Sequence, residues 1–314
     1  MSLERALELA ERGRATVEQT HPLVGAVLER DGEVVGEGWY EGSGSPHAEV
    51  AAIEAAGERA RGATLYVTLE PCAHEGRTPP CADAVTAAGV VRVVAGARDP
   101  NPKVDGRGFA CLRAAGIEVE VVDLWEARRQ NEAWRVWIAR RRPFVTYKVA
   151  MTLDGRVSVP GSRWVSGEES RRRVHELRAA ADAVAVGMGT VRADDPALTA
   201  RGVEVTTQPR RLAFGRGPLP EGSELELRSG PLEQELGVLA GEGVRSLLLE
   251  GGPTLASAFL AADLVDKLLV FVAPTLAGEG AGPVAALPEP RSLRRLTAEP
   301  VGEDALLTAY VHEP

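Results

Sequence analysis

His47-Ala48-Glu49, then Pro71-Cys72, then Cys81 constrain the first half of this chain more than any other feature. They supply three borderline or soft metal ligands and one carboxylate that need not bind the metal. A hydrolytic zinc centre requires three protein ligands, an open fourth position for water, and an acid/base beside it. Three distant segments must therefore meet at one point. His47 opens a helix after the loop Gly42-Ser43-Gly44-Ser45-Pro46. Glu49 lies about half a helical turn further on and projects along a different line, toward the water rather than the metal. Cys72 follows the strand-end sequence Thr68-Leu69-Glu70-Pro71, and Cys81 starts the next helix. Cysteines near helix N-termini have lowered thiolate pKa values, which favours ligation.

The order H-x-E…P-C…C is the signature of zinc-dependent nucleobase deaminases, which replace a ring amino group by oxygen. Zinc lowers the pKa of its water to about 7; Glu49 takes that proton and passes it to the ring nitrogen and the leaving amine. Composition narrows the setting. A length of 314 residues allows two ordinary domains. No stretch reads as a membrane span, and the start Met1-Ser2-Leu3-Glu4-Arg5 carries no apolar leader. Three cysteines are too few for a disulfide framework, which fits a reducing cytoplasm. Residues 1–143 hold 18 basic and 22 acidic side chains, and residues 144–314 hold 18 and 23. Neither half is basic, which argues against nucleic acid as the main partner.

Helix and strand alternate along the chain. A short amphipathic helix over 3–12 precedes a hairpin, 24–28 and 34–39, turning at Asp31-Gly32. Helices are expected over 47–59, 81–88 and 108–115, strands over 65–69, 90–95 and 117–122, and one long helix over 124–140. Arg140-Arg141-Arg142-Pro143 closes the first domain, 1–143. The second, 144–314, restarts with strand 144–150, helix 168–180, strands 182–187, 210–214 and 246–249, helix 253–261 and strand 266–273. Residues 216–241 read as a Gly-, Pro- and Glu-rich surface excursion, and Cys111 as a core residue.

Eight residues separate Cys72 from Cys81, wider than the Pro-Cys-x-x-Cys of nucleic-acid editors. The blocks Thr68–His74, Thr78-Pro79-Pro80-Cys81 and Asp99-Pro100-Asn101-Pro102 resemble the bifunctional riboflavin-biosynthesis deaminase/reductase family, and the resemblance covers essentially the whole chain. It implies an α/β fold: an N-terminal cytidine-deaminase-like α/β/α domain and a C-terminal domain like dihydrofolate reductase. It implies deamination of 2,5-diamino-6-hydroxy-4-(5-phosphoribosylamino)pyrimidine, then NADPH-dependent reduction of the ribosyl group to ribityl. By the same resemblance His47, Cys72 and Cys81 bind one zinc ion, Glu49 shuttles protons, and His74, Arg77 and Asn101 contact the substrate. The family carries Asn before Pro22; here His21 takes that position and, able to donate and accept, is assigned to the pyrimidine. A homo-oligomer is implied by the family alone.

In the second half, Lys148 and Asp154 sit near a strand end, where α/β sheets build sites. Leu249-Glu250-Gly251-Gly252-Pro253 is a strand, two glycines and a helix start, suited to phosphate. The resemblance places Lys148, Asp154, Ser162, Arg178, Leu198, Arg201 and Glu250 at the ribosyl substrate. It places Ala150, Trp164, Thr190, Asp194, Gly252, Pro253, Thr254, Leu255, Ala256, Ser257 and Ala258 at NADPH. Lys148 is assigned to protonate or position the opening ribose, with Glu250 holding sugar hydroxyls. Arg216 stands at a strand end where relatives often carry an acid, and suits a 2′-phosphate. Two other readings stay open: a deaminase with a non-catalytic C-terminal scaffold, and a nucleic-acid-editing or purely structural zinc module. The acidic halves oppose editing, and Glu49 opposes a closed structural site.

Overall fold

The computed structural model describes residues 2–16, 21–75 and 79–314. It forms two compact units, Met1–Arg140 with Pro314, and Arg141–Glu313. In the first unit the elements run α1 (Ser2–Arg12), β1 (Gly25–Arg30), β2 (Glu33–Trp39), α2 (Ala48–Ala56), β3 (Thr64–Val67), α3 (Cys81–Ala87), β4 (Arg92–Ala95), α4 (Arg107–Ala114), β5 (Glu118–Val121), α5 (Trp125–Gln130) and α6 (Glu132–Arg140). The strands form one sheet, ordered β2-β1-β3-β4-β5. β1 is antiparallel to both its neighbours, whereas β3, β4 and β5 are parallel.

Alternation along β1 shows why the sheet is covered on both faces. Ala26 and Leu28 join the α2, α3 and α4 residues Ala52, Val85, Phe109 and Leu112 in one core. Val27 packs on the opposite side with Ala6 and Leu9 of α1. α2 approaches β2 closely because Gly36 and Gly38 share the face beneath it. A Cβ on Gly38 would stand 2.4 Å from the Ala48 carbonyl oxygen and 2.5 Å from the Ala52 nitrogen.

The expected single helix over 124–140 is broken at Asn131. Its backbone leaves the helical region, and its buried amide donates to the Leu23 carbonyl and accepts the Leu23 N–H, at 2.9 and 2.8 Å. Cys111 is exposed, not core: Phe109 and Leu112 take the inward positions of α4.

The second unit comprises β6 (Phe144–Thr152), α7 (Glu168–Ala180), β7 (Ala183–Gly187), α8 (Met188–Asp194), β8 (Arg210–Phe214), β9 (Glu226–Arg228), α9 (Leu232–Gly241), β10 (Ser246–Leu249), α10 (Pro253–Ala261), β11 (Lys267–Ala273), β12 (Arg294–Val301) and β13 (Asp304–Tyr310). Its sheet is ordered β12-β13-β11-β6-β10-β7-β8-β9. The six strands from β11 to β9 are parallel, and the β12–β13 hairpin adds antiparallel at one edge. Residues 216–241 are not merely a surface excursion. They contain β9 and α9, and Leu236 and Leu239 are fully buried in the main core of this unit. Among the described residues no helix is long and apolar enough to cross a membrane.

The Gly38 contact yields a direct test. Gly38→Ala forces a methyl into the backbone of α2, and overpacking of this kind costs about 1–3 kcal/mol. The expected outcome is a lower thermal midpoint and weaker zinc retention, because α2 carries Glu49 and is capped by His47; calorimetry with metal analysis checks both.

Candidate active sites

Three elements converge in the first unit. His47 is the N-cap residue of α2, Cys72 lies beyond the end of β3, and Cys81 is the first residue of α3. One ligand atom from each lies within 4.8 Å of the others. His47 Nδ1 is 3.0 Å from Cys81 Sγ and 3.7 Å from Cys72 Sγ. The Cys81 backbone N–H donates to Cys72 Sγ at 3.3 Å. Hydrogen bonds from Cys81 and His47 bring the Cys72 thiol down to about 4. The shared proton and burial push the Cys81 thiol up. A Cys₂His set with mutual spacings this short fits a tetrahedral zinc ion.

Glu49 sits in the first turn of α2, 4 % exposed, and burial raises its carboxyl to about 7. A group that binds and releases protons near neutrality suits acid/base work. His21 and His47 flank Tyr40, each ring 5.6 Å from the Tyr40 ring, so His21 stands one aromatic ring away from the metal ligands. Among the described residues no hydrogen-bond partner reaches the buried His74 Nδ1, as for a group awaiting a ligand. Arg77 lies outside the described residues. Asn101 turns its Oδ1 to its own loop, accepting the Lys103 N–H.

Sequence reasoning gave no role to Glu70, and the structure makes it a hub. Its buried carboxylate accepts backbone N–H groups from Asp99, Gly106, Gly108 and Phe109, at 3.0–3.4 Å. The loop 99–106 and the start of α4 are thereby tied to the segment that delivers Cys72. Gly108 allows the closeness, since a Cβ there would stand 1.9 Å from the Pro71 carbonyl oxygen. Asp99 is a second buried acid here, raised to about 7 by burial and by Glu70.

In the second unit the chemistry gathers where parallel strands end. Lys148 on β6 is largely buried, its Nζ 3.9 Å from Glu250 Oε2 and 5.8 Å from the centre of the Phe271 ring. Burial lowers its pKa, with Glu250 opposing. Glu250 follows β10, and both of its oxygens accept from Arg178 of α7, at 2.6 and 3.0 Å. Burial pushes its carboxyl up, but Arg178 and Lys148 outweigh that and hold it below its ordinary value. What faces Lys148 is thus an Arg178–Glu250 pair, whose carboxylate keeps a lone pair on each oxygen for a further donor such as a sugar hydroxyl.

Asp154 is likewise engaged. It accepts from Thr152 Oγ1 and from the Ala277 and Gly278 N–H groups, which bring it down to about 2. It staples the end of β6 to the segment after β11. Ser162 donates to the Trp164 carbonyl, and the exposed Trp164 indole lies 5.0 Å from the Arg163 guanidinium and 5.3 Å from that of Arg171. Leu198 is buried in the left-handed conformation, φ 53°. The Arg201 N–H donates to His175 Nδ1.

Gly187, Thr190 and Gly252 bring the starts of α8 and α10 side by side: a Cβ on Gly252 would stand 3.6 Å from Thr190 Oγ1. Gly252 caps α10 and Pro253 is its first residue. Thr254 and Ala258 are exposed on α10; Ala256 and Ser257 turn inward, and the Ser257 hydroxyl accepts the Ala285 and Ala286 N–H groups. A cavity of 310 Å³ opens beside them, lined by Phe214, Gly215, Arg216, Arg228, Leu255 and Ala258. Glycines without side chains, a helix N-terminus and an arginine-lined cavity fit a phosphate-bearing dinucleotide. Ala150 lies on β6 paired with Phe271, and Asp194 is exposed at the end of α8.

Residues 2–97 match the family model described as the cytidine and deoxycytidylate deaminase zinc-binding region, and residues 143–307 match the RibD C-terminal domain. The chain is 39% identical to the riboflavin biosynthesis protein RibD of Aquifex aeolicus, covering 97% of this chain and 96% of that one. It is 40% identical to the Escherichia coli protein of the same name, covering 91% and 90%. Among solved structures, Acinetobacter baumannii RibD superposes with a TM-score of 0.82 at 36% identity, covering 98% and 97%. A Thermotoga maritima diaminohydroxyphosphoribosylaminopyrimidine deaminase/5-amino-6-(5-phosphoribosylamino)uracil reductase gives 0.79 at 34%, with the same coverage.

The Glu70 hub predicts a local effect. Glu70→Gln turns an N–H donor toward backbone donors and leaves some of them unsatisfied, at a cost of about 1–3 kcal/mol. Amide exchange should quicken over 99–109 and stay unchanged in the second unit; uniform protection throughout would refute the hub.

Proposed function

The chain belongs to the RibD family of riboflavin biosynthesis proteins, and on that premise we propose that it performs two successive reactions on one phosphoribosylated pyrimidine. The first is hydrolytic deamination of 2,5-diamino-6-hydroxy-4-(5-phosphoribosylamino)pyrimidine, assigned to residues 1–143. The second is NADPH-dependent reduction of the ribosyl group to ribityl, assigned to 144–314. The observation that carries this reading is the meeting of His47, Cys72 and Cys81 with the buried Glu49 beside them. Family membership alone supports cytoplasmic residence and homo-oligomeric assembly.

His47, Cys72 and Cys81 would hold zinc, which when bound supplies a nucleophilic water at neutral pH. Glu49 accepts a proton on its buried carboxylate and returns it to the ring nitrogen and the departing amine. His21 and His74 bind and orient the pyrimidine and its ribosyl phosphate, with Arg77 and Asn101. In the second unit, NADPH would lie over Gly252–Leu255, Thr190 and Trp164, with Arg216 at its 2′-phosphate, and supplies the reducing equivalents. Lys148 holds a proton near the ribose ring oxygen as the ring opens. Its lowered pKa makes that proton easier to give, and the Arg178–Glu250 pair fixes its position.

A coupled assay on the zinc-loaded protein tests both halves by following ammonia release and NADPH oxidation together. Stoichiometric loss of both is the expected result; ammonia without NADPH oxidation would leave a deaminase joined to a silent scaffold. Glu49→Gln should lose deaminase activity by several orders of magnitude while retaining zinc, because the ligands are untouched; full activity in that variant would refute the proton shuttle. Arg216→Ala should raise the KM for NADPH about tenfold, the range of one charge-assisted hydrogen bond, and leave that for NADH unchanged. Equal KM changes for the two nucleotides would count against a 2′-phosphate contact.

A further inference from the structure

Helix α7 presents two residues, three positions apart, to the segment 198–201. Arg178 donates from Nη1 to the Thr199 carbonyl at 3.2 Å, while its other nitrogens hold Glu250. His175 Nδ1 lies 3.2 Å from the same Thr199 carbonyl oxygen and 3.2 Å from the Arg201 backbone nitrogen. One ring nitrogen cannot serve both. With a lone pair it accepts the Arg201 N–H; carrying a proton it donates to Thr199 and gives up Arg201. The charged groups around the ring are Arg178 on its own helix, Arg201 on the segment and Glu250 at the end of β10. Burial and Arg178, joined by Arg201, hold the imidazole below its ordinary pKa against the opposing pull of Thr199 and Glu250, so the ring is neutral at neutral pH. The Thr199 carbonyl already accepts from Arg178, whereas the Arg201 N–H has the ring, so the Nε2–H tautomer, with its lone pair on Nδ1, satisfies both.

The segment needs such a hold. Leu198 is buried at φ 53°, a conformation a side chain adopts only when its surroundings impose it. Three residues on, Arg201 is exposed, and among the described residues its guanidinium makes no ion pair or hydrogen bond that would fix it. Its backbone is therefore what aims it. A continuous chain of contacts runs from Lys148 through Glu250 and Arg178 to Thr199, and His175 ends it at Arg201.

We propose that His175 is a positioning residue of the reductase: by accepting the Arg201 N–H it sets the segment 198–201 and aims the Arg201 guanidinium at the anionic, phosphorylated end of the sugar substrate. This rests on the reductase reading of the second unit. It predicts a change in substrate binding with little change in chemistry.

Steady-state reduction of the deaminated phosphoribosylamino-pyrimidine by the full-length, zinc-loaded protein tests it. His175→Ala should raise the substrate KM about tenfold, with kcat within about twofold and the NADPH KM unchanged. His175→Asn, whose Oδ1 can stand where Nδ1 does, should restore KM. His175→Ala should add little to Arg201→Ala, because both remove one guanidinium contact. In the wild type, KM should rise only at acidic pH, below the ordinary imidazole range, as the imidazole takes a proton and releases Arg201, and His175→Asn should lose that dependence. Amide exchange at Arg201 should quicken in His175→Ala whether or not substrate is turned over. Additive KM effects, no rescue by Asn, or an unchanged KM in an active His175→Ala enzyme would overturn the proposal. A wild type that reduces no substrate, with Arg201 exchange still quickened by His175→Ala, would instead refute the reductase reading and the aiming role built on it.

Discussion

Parallel strands end together, and where they end the backbone runs out of ladder partners. Both units of this chain place their chemistry at that edge. In the first, β3 and β4 finish side by side, and the Glu70 N–H still reaches the Ala97 carbonyl beyond them. In the second, β10, β7 and β8 end within two residues of one another while β6 runs on to Thr152, and the Glu250 N–H donates to the Ala185 carbonyl. Each short buried strand is followed by a buried glutamate that organises what comes next. Glu70 gathers four backbone N–H groups and fixes a loop; Glu250 gathers a guanidinium and an ammonium and fixes a charge. A carboxylate removed from water needs such partners, so each acts as a nucleation point for its site.

Environment then separates residues of one chemical type into different roles. Glu49 is buried, and burial raises it to about 7, where it can exchange protons. Glu250 is largely buried too but paired, and stays ionised. Asp154, held by one hydroxyl and two backbone N–H groups, is brought down to about 2 and serves as a staple. These assignments follow from partners and not from residue identity, so the sequence could nominate Glu250 and Asp154 without showing what occupies them.

The metal centre was legible because its chemistry demands particular residue types in a particular order, whatever fold delivers them. Strands 210–214 and 246–249 and helix 253–261 were legible because apolar runs bounded by Gly and Pro coincide with them. The β12–β13 hairpin was not. Pro300 argues against a strand, and only its position on an edge makes it tolerable. Helix α9 was hidden by Gly237 and Gly241, which dilute a pattern that nonetheless buries Leu236 and Leu239. Glu70 and His175 were invisible for a different reason. A carboxylate that accepts backbone N–H groups, and an imidazole that accepts one, acquire their roles only when distant segments meet.

The buried cation in the second unit bears on whether that unit is catalytic. Lys148 is held in a site that disfavours its charge, 14% exposed and beside a glutamate already paired with arginine. Removing an ammonium from water costs several kcal/mol, and pairing does not fully offset it; an apolar side chain of similar volume is often as stable or more so. A scaffold gains nothing from that arrangement. The proton delivery proposed for Lys148 would gain from it, because desolvation makes an ammonium a better acid and the Arg178–Glu250 pair holds that ammonium in place. The energetic cost of Lys148 is therefore the physical argument that the second unit is an active partner and not a passive one.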